Sequence, residues 1–205
     1  MKYFSEDDIQ QLEKLFRINL INSCTGYKSA NLLATKSEDG IENVAVFSSV
    51  IHLGSTPPLV GFILRPTTVA RNTYDNLKKT KVFTVNHIHK NSIEDAHHTS
   101  AKYDGEISEF DKTNLNAEYK NEFFAPFVKG ANVQIGCSFK NEYFIKENDC
   151  LLIVGAIKHL HIKENALQDD GYISLEKTHS VAINGLDGYT LPNLLARFEY
   201  ARPKE

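Results

Sequence analysis

Residues 59–76 read Leu59-Val60-Gly61-Phe62-Ile63-Leu64-Arg65-Pro66-Thr67-Thr68-Val69-Ala70-Arg71-Asn72-Thr73-Tyr74-Asp75-Asn76. The apolar run 59–64 shows no alternation, so it predicts a strand buried on both faces, as inside a barrel or beneath a helix. The segment after it carries two arginines and three threonines and leads into a helix expected over 73–80. Asn72 with Asp75 three residues later forms a box suited to capping that helix. A helix start offers free backbone N–H groups and the positive end of its dipole. Arg65 and Arg71 add planar donors matched to phosphate, and Thr67, Thr68 and Thr73 add hydroxyls. The same residues also describe an ordinary capped loop with surface arginines. Lys78 and Lys79 fall in the last turn, where they complement the dipole.

Upstream, 30–35 and 44–50 flank Glu38-Asp39-Gly40, a turn signal between two strands. Alternation over 43–50 puts Val44, Val46, Ser48 and Val50 on one face, with Ala45, Phe47 and Ser49 on the other. Ser48 and Ser49 at a strand end can present hydroxyls to an anion or heterocycle. Ser5 with Asp8 resembles a capping box ahead of Ile9, Leu12, Leu15, Phe16 and Leu20, which predicts a helix near 6–17. Downstream, 82–89 reads as a strand, and Ser92 with Asp95 opens a helix through about Lys102. Ile93, Ala96, His97, Ser100 and Ala101 share one helical face, so His97 is expected inward and His98 outward. Residues 104–130 form a long polar excursion anchored by Phe123, Phe124 and Phe127. The alternating segment 133–140 and the run 151–162 predict a long hairpin turned at 146–149, and 172–175 is one more strand candidate. Strands outnumber helices and several are joined by hairpin turns. This predicts one domain, residues 1–205, built on an antiparallel barrel or sandwich of about 30–200 with helices packed outside.

The chain has 205 residues, with 23 Lys+Arg against 26 Asp+Glu and no run of five like charges. That balance argues against a nucleic-acid or membrane-surface binder held by bulk electrostatics. Three cysteines without C-x-x-C spacing provide neither a disulfide framework nor a zinc site and fit a reducing, cytoplasmic compartment. No apolar run is long enough to span a bilayer. His87-x-His89 and His159-x-His161 raise a metal-binding alternative, but His159 and His161 are expected to face water, opposite Leu160 and Ile162. There is no G-x-S-x-G elbow, Walker A loop or G-x-G-x-x-G turn.

The order Asn43-Val-Ala-Val-Phe-Ser-Ser-Val50, Thr56-Pro-Pro-Leu-Val-Gly-Phe62, Arg71-Asn-Thr-Tyr-Asp-Asn76 and Val82-Phe-Thr-Val-Asn86 resembles the flavin reductase-like family. Ala96-His97-x-Thr99-Ser100-Ala101-Lys102 and Gly185-Leu-Asp-Gly-Tyr189 resemble its longer, stand-alone branch. The resemblance implies an FMN-binding split β-barrel, six-stranded and antiparallel, usually a homodimer with FMN near the subunit interface. By position it implies that Ser48, Ser49 and Val50 run beside the flavin. Arg65, Thr67, Arg71, Asn72 and Thr73 would take the phosphate and ribityl chain. Asn86, His87, His97, Thr99 and Ser100 would lie around the ring or its edge. Two departures stand out: Arg71-Asn72 replaces Lys-Asp, and Val46 stands where proline is common. The implied activity is NAD(P)H-dependent flavin reduction, or electron transfer from a retained FMN to a small-molecule acceptor. His87 and His97 are the residues that could touch a substrate. A non-catalytic FMN-binding or storage protein and a histidine-lined metal-binding protein are the alternatives.

Overall fold

Alternating and fully apolar strands dominate the chain once the first 24 residues are passed. The computed structural model describes residues 1–68 and 71–203. In chain order the helices are α1 (Glu6–Gln11), α2 (Lys14–Cys24), α3 (Asn72–Thr80), α4 (Ile93–His98) and α5 (Leu175–Thr178). The strands are β1 (Lys28–Ser29), β2 (Asn31–Lys36), β3 (Glu42–Phe47), β4 (Ile51–Ser55), β5 (Pro58–Leu64), β6 (Val82–His87), β7 (Ala117–Glu118), β8 (Phe127–Val128), β9 (Val133–Ile145), β10 (Cys150–Ile162), β11 (Ala182–Asn184) and β12 (Gly188–Thr190).

Seven strands form one antiparallel sheet in the order β3-β2-β6-β9-β10-β5-β4, where six were expected. Its two edge strands, β3 and β4, are consecutive in sequence and are joined only by residues 48–50. The chain itself thus crosses the seam between the sheet's edges, which makes this a split barrel. Phe47 of β3 meets Phe62 of β5 edge-to-face at 5.2 Å, and Phe62 meets Phe83 of β6 at 5.4 Å. This aromatic ladder ties the half-buried Phe47 at the β3 edge to the buried rings of Phe62 and Phe83 across the sheet. β1, β11 and β12 form a second small sheet, and β7 pairs with β8.

Adjacent residues of β2 point to opposite faces, and both faces are covered. Leu33 joins Phe62, Leu64, Phe83, Val85 and Ile153 in one core, which Leu77 of α3 closes. Leu32 and Ala34 join Val44, Ala96 of α4, Phe110 and Val128 in the other. Gly155 on β10 lies so close to Phe83 that a Cβ there would sit 2.5 Å from the ring.

Several local expectations change. The helix near 6–17 is two helices, because the Glu13 carboxylate accepts from the N–H groups of Leu15 (2.8 Å) and Phe16 (3.1 Å) and starts α2 afresh. Neither helix buries a residue, and Leu15 and Phe16 are exposed. The strand predicted to run to Val50 ends at Phe47. Val46 stays on the face of Val44, but after the bend Val50 packs with Phe47 against the other core. The strand candidate at 172–175 gives way to Ser174, whose hydroxyl caps α5. His159 and His161 do not face water. They pack edge-on against Phe123 and Phe127 of the excursion at 5.1 Å each, and Leu160 is the exposed one.

Candidate functional site at the barrel seam

The loop after β5 and the start of α3 are held against β3 by a buried polar network. Thr73 donates its hydroxyl proton to Asn43 Oδ1 (2.8 Å), and Asn76 donates to Thr35 Oγ1 (3.1 Å). Asn43 Nδ2 and the Val44 N–H both donate to one carboxylate oxygen of Glu109, at 2.8 and 3.0 Å. All five side chains are buried. Burial raises the Glu109 carboxyl above its ordinary range, opposed by the hydrogen bonds it accepts. Thr35, Asn43 and Glu109 were absent from the sequence-derived set. They gather here from positions up to 74 residues apart, so no local spacing signals them.

The network fixes the first turn of α3, and no side chain caps it. Arg71, not Asn72, occupies the N-cap position and makes no side-chain cap. Asn72 instead reaches the Gly105 carbonyl at 3.5 Å. Among the described residues the Arg71 guanidinium makes one long bond, from Nε to the Pro66 carbonyl at 3.4 Å. Neither Arg65 nor Arg71 has a carboxylate partner among the described residues. Two cations without counter-charges therefore flank an uncapped helix N-terminus, a combination that favours an anion. Arg65 and Thr67 are exposed, whereas Val69 and Ala70 lie outside the described residues.

The segment crossing the seam sits beside this junction. Ser49 Oγ accepts from the Ile63 N–H (3.1 Å) and donates to the Ile63 carbonyl (3.2 Å), two residues before Arg65. Ser29 donates to the Val50 carbonyl at 2.9 Å. The Ser49 hydroxyl is thus consumed in pinning the crossover, while Ser48 remains half-buried with its hydroxyl free of partners among the described residues. Ser48, Ser49, Val50, Arg65, Thr67, Arg71, Asn72 and Thr73 therefore occupy one connected region around β3. The Thr73 hydroxyl has no proton left to donate to a ligand.

The other sequence-derived residues are placed differently. Asn86 is fully buried, and both ends of its amide are used: Nδ2 donates to the Leu32 carbonyl and Thr84 Oγ1, and Oδ1 accepts from the Val128 N–H. It is a core cross-link and reaches no surface. His97, expected inward, is exposed, and its Nδ1 lies 3.3 Å from the Tyr189 hydroxyl. The inner face of α4 runs through Ala96 and Thr99 instead, and the helix ends at His98, so Ser100 and Ala101 do not extend the predicted face. Ala96 and Thr99 are the buried positions, and Ser100 is exposed. His87 is half-buried at the end of β6, its Nδ1 3.3 Å from Ser180 Oγ, and burial pushes its pKa down to about 4. Among the described residues no group of three or more His, Cys, Asp or Glu converges on a common point. No helix of the described residues is long and apolar enough to cross a membrane.

Known proteins share this antiparallel split barrel. Residues 26–181 match the flavin reductase like domain. The chain belongs to that family. A split-barrel protein of Shewanella frigidimarina, assigned as a flavin reductase, superposes with a TM-score of 0.95 at 41% identity, over 98% of this chain and 100% of that one. Nitrilotriacetate monooxygenase component B of Bacillus cereus shares the fold at TM-score 0.81 and 18% identity, over 98% of each chain. A relative in Aquifex aeolicus is 26% identical over 147 residues, 71% of this chain and 74% of that protein.

Proposed function

We propose that this chain binds FMN at the barrel seam and uses it as an NAD(P)H-dependent flavin oxidoreductase. Membership of the flavin reductase-like family across residues 26–181 is the observation that carries this reading. The seam fits the group chemically. Arg65 and Arg71 lack carboxylate partners among the described residues and stand beside the N-terminus of α3, which no side chain caps, an arrangement that suits a terminal phosphate. Asn72, Thr67 and the Ser48 hydroxyl can serve the polyol chain and ring edge. Thr73 and Ser49 act indirectly, holding the helix start and the crossover in place.

When bound, the flavin supplies hydride acceptance from a reduced nicotinamide and passes electrons on singly or in pairs. This chemistry asks the chain for binding, orientation and a dry backing surface, and needs no acid–base dyad. The Phe47–Phe62–Phe83 ladder provides a water-excluding interior behind the crossover. The Asn43–Thr73–Glu109 network keeps the anion-binding turn in one geometry, so that little ordering entropy is lost on binding. We further place the protein in a reducing cytoplasm, in keeping with its three free cysteines. We also read it as a homodimer. The C-terminal tail, with Leu195, Phe198 and Tyr200 each more than nine-tenths exposed, offers apolar surface for that contact.

The test is anaerobic titration of FMN-loaded protein with NADH and with NADPH while the flavin band is followed. Bleaching by either supports the reading. Bound flavin that neither donor reduces assigns the chain to FMN binding without catalysis.

A further inference from the structure

A cavity of ≈ 260 Å³ opens where β1, the start of β2, the end of β6 and α5 meet, walled among others by Lys28, Asn31, His87, Leu175, Ser180 and Pro192. The Ser29–Val50 hydrogen bond links it to the seam. It is small for a cofactor with a three-ring head and a phosphate tail, since nucleotide-sized pockets start near ~300 Å³. A liquid water occupies ~30 Å³, so the space equals about nine waters, the size of a one-ring molecule with a small substituent.

Its polar wall has a definite sense of donation. Thr178 Oγ1 lies 2.8 Å from the Leu175 carbonyl, which can only accept, so the single Thr178 proton is used there. Ser180 Oγ lies 2.7 Å from Thr178 Oγ1 and must therefore donate its own proton to it. With that proton spent, Ser180 can only accept from His87 Nδ1, 3.3 Å away. The neutral ring then carries its proton on Nδ1 and presents a bare lone pair at Nε2. Nε2 of His87 has no protein partner among the described residues and, unlike Nε2 of His161 and Nδ1 of His179, is not sealed from its surroundings. Of the neighbouring donors, Lys28 Nζ gives one of its three protons to the Asn22 carbonyl (2.6 Å), Asn31 Nδ2 one of its two to Ser29 (3.0 Å), and Ser29 its single proton to Val50.

We propose that this cavity binds a neutral one-ring molecule through an O–H or N–H group donated to His87 Nε2, with Thr178 and Ser180 fixing the nitrogen that receives it. The site is separate from the flavin region and stands whether or not the flavin reading holds. His87 accordingly leaves the flavin set and becomes the recognition residue of a second ligand.

Phenol and anisole, equal in ring and differing in the donor proton, are the probes. Each is titrated into the full chain by ligand-observed NMR, without and with saturating FMN. Phenol is expected to bind at least about tenfold more tightly than anisole, the worth of one buried hydrogen bond. Ser180→Ala, which frees the imidazole to move its proton, is expected to bring the ratio below about threefold. ¹⁵N spectra of histidine-labelled wild-type protein report the tautomer directly and do not depend on that variant folding. Equal affinities, binding of neither probe, or an Nε2–H tautomer overturns the proposal. Displacement of phenol by FMN also overturns it, by assigning the cavity to the flavin.

Discussion

His87 makes stability depend on pH in a direction the structure dictates. Its ring is desolvated at the end of β6, and its pKa falls from 6.5 to about 4. As pH drops, the unfolded chain protonates this imidazole near its ordinary value while the folded chain does not, so the folded state loses ground through that window. The stability is intact above about pH 6.5 and is lost progressively down to about pH 4. Between about pH 8 and about pH 5.5 the unfolded ring takes up nearly one proton and the folded ring almost none, a difference of about 1.4 kcal/mol. Urea unfolding of wild type and His87→Gln at those two pH values measures it. His89 and His161, also lowered by burial, are present in both proteins and cancel. Wild type is expected to lose about 1.4 kcal/mol more than the variant on acidification. Equal losses would refute the claim that His87 is held neutral by its surroundings.

Thr73→Val removes the donor to Asn43 at 2.8 Å and is expected to cost about 1–2 kcal/mol of unfolding free energy, read from the urea midpoint at unchanged slope. Arg71→Ala leaves the helix and the network in place and is expected to weaken FMN binding about tenfold in a fluorescence titration, with far-UV circular dichroism unchanged. Gly155→Ala drives a methyl to 2.5 Å from the Phe83 ring and is expected to destabilise by about 1–3 kcal/mol, visible as a lower Tm.

The barrel was legible because its signals are local. The unalternating run 59–64 did become a strand with buried centre, and 133–140 did become half of a long hairpin, although Gln134 and Gly136, expected on its outer face, are buried as well. The helix after β5 was also readable, expected over 73–80 and found at Asn72–Thr80, although Arg71 and not Asn72 takes its N-cap position. What could not be read is what distant residues do to each other. Nothing near Thr73 announces that its proton goes to Asn43, or that Glu109 receives the N–H of Val44 from 65 positions away. Asn86 matched the family motif, yet its amide is spent inside the core on Leu32, Thr84 and Val128. His97 was misplaced by one assumption, that α4 runs through Lys102. The helix stops at His98, four residues earlier, and its inner face runs through Ala96 and Thr99, which leaves His97 outside. The water-facing assignment of His159 and His161 failed for the related reason that the excursion before β9 lays Phe123 and Phe127 over them.

The visible spectrum of the purified chain, recorded after reconstitution with FMN and gel filtration and then under anaerobic NADH and NADPH, tests the account most directly. It predicts a flavin band that stays with the protein and bleaches with at least one donor. A colourless protein that retains no FMN after reconstitution would contradict it.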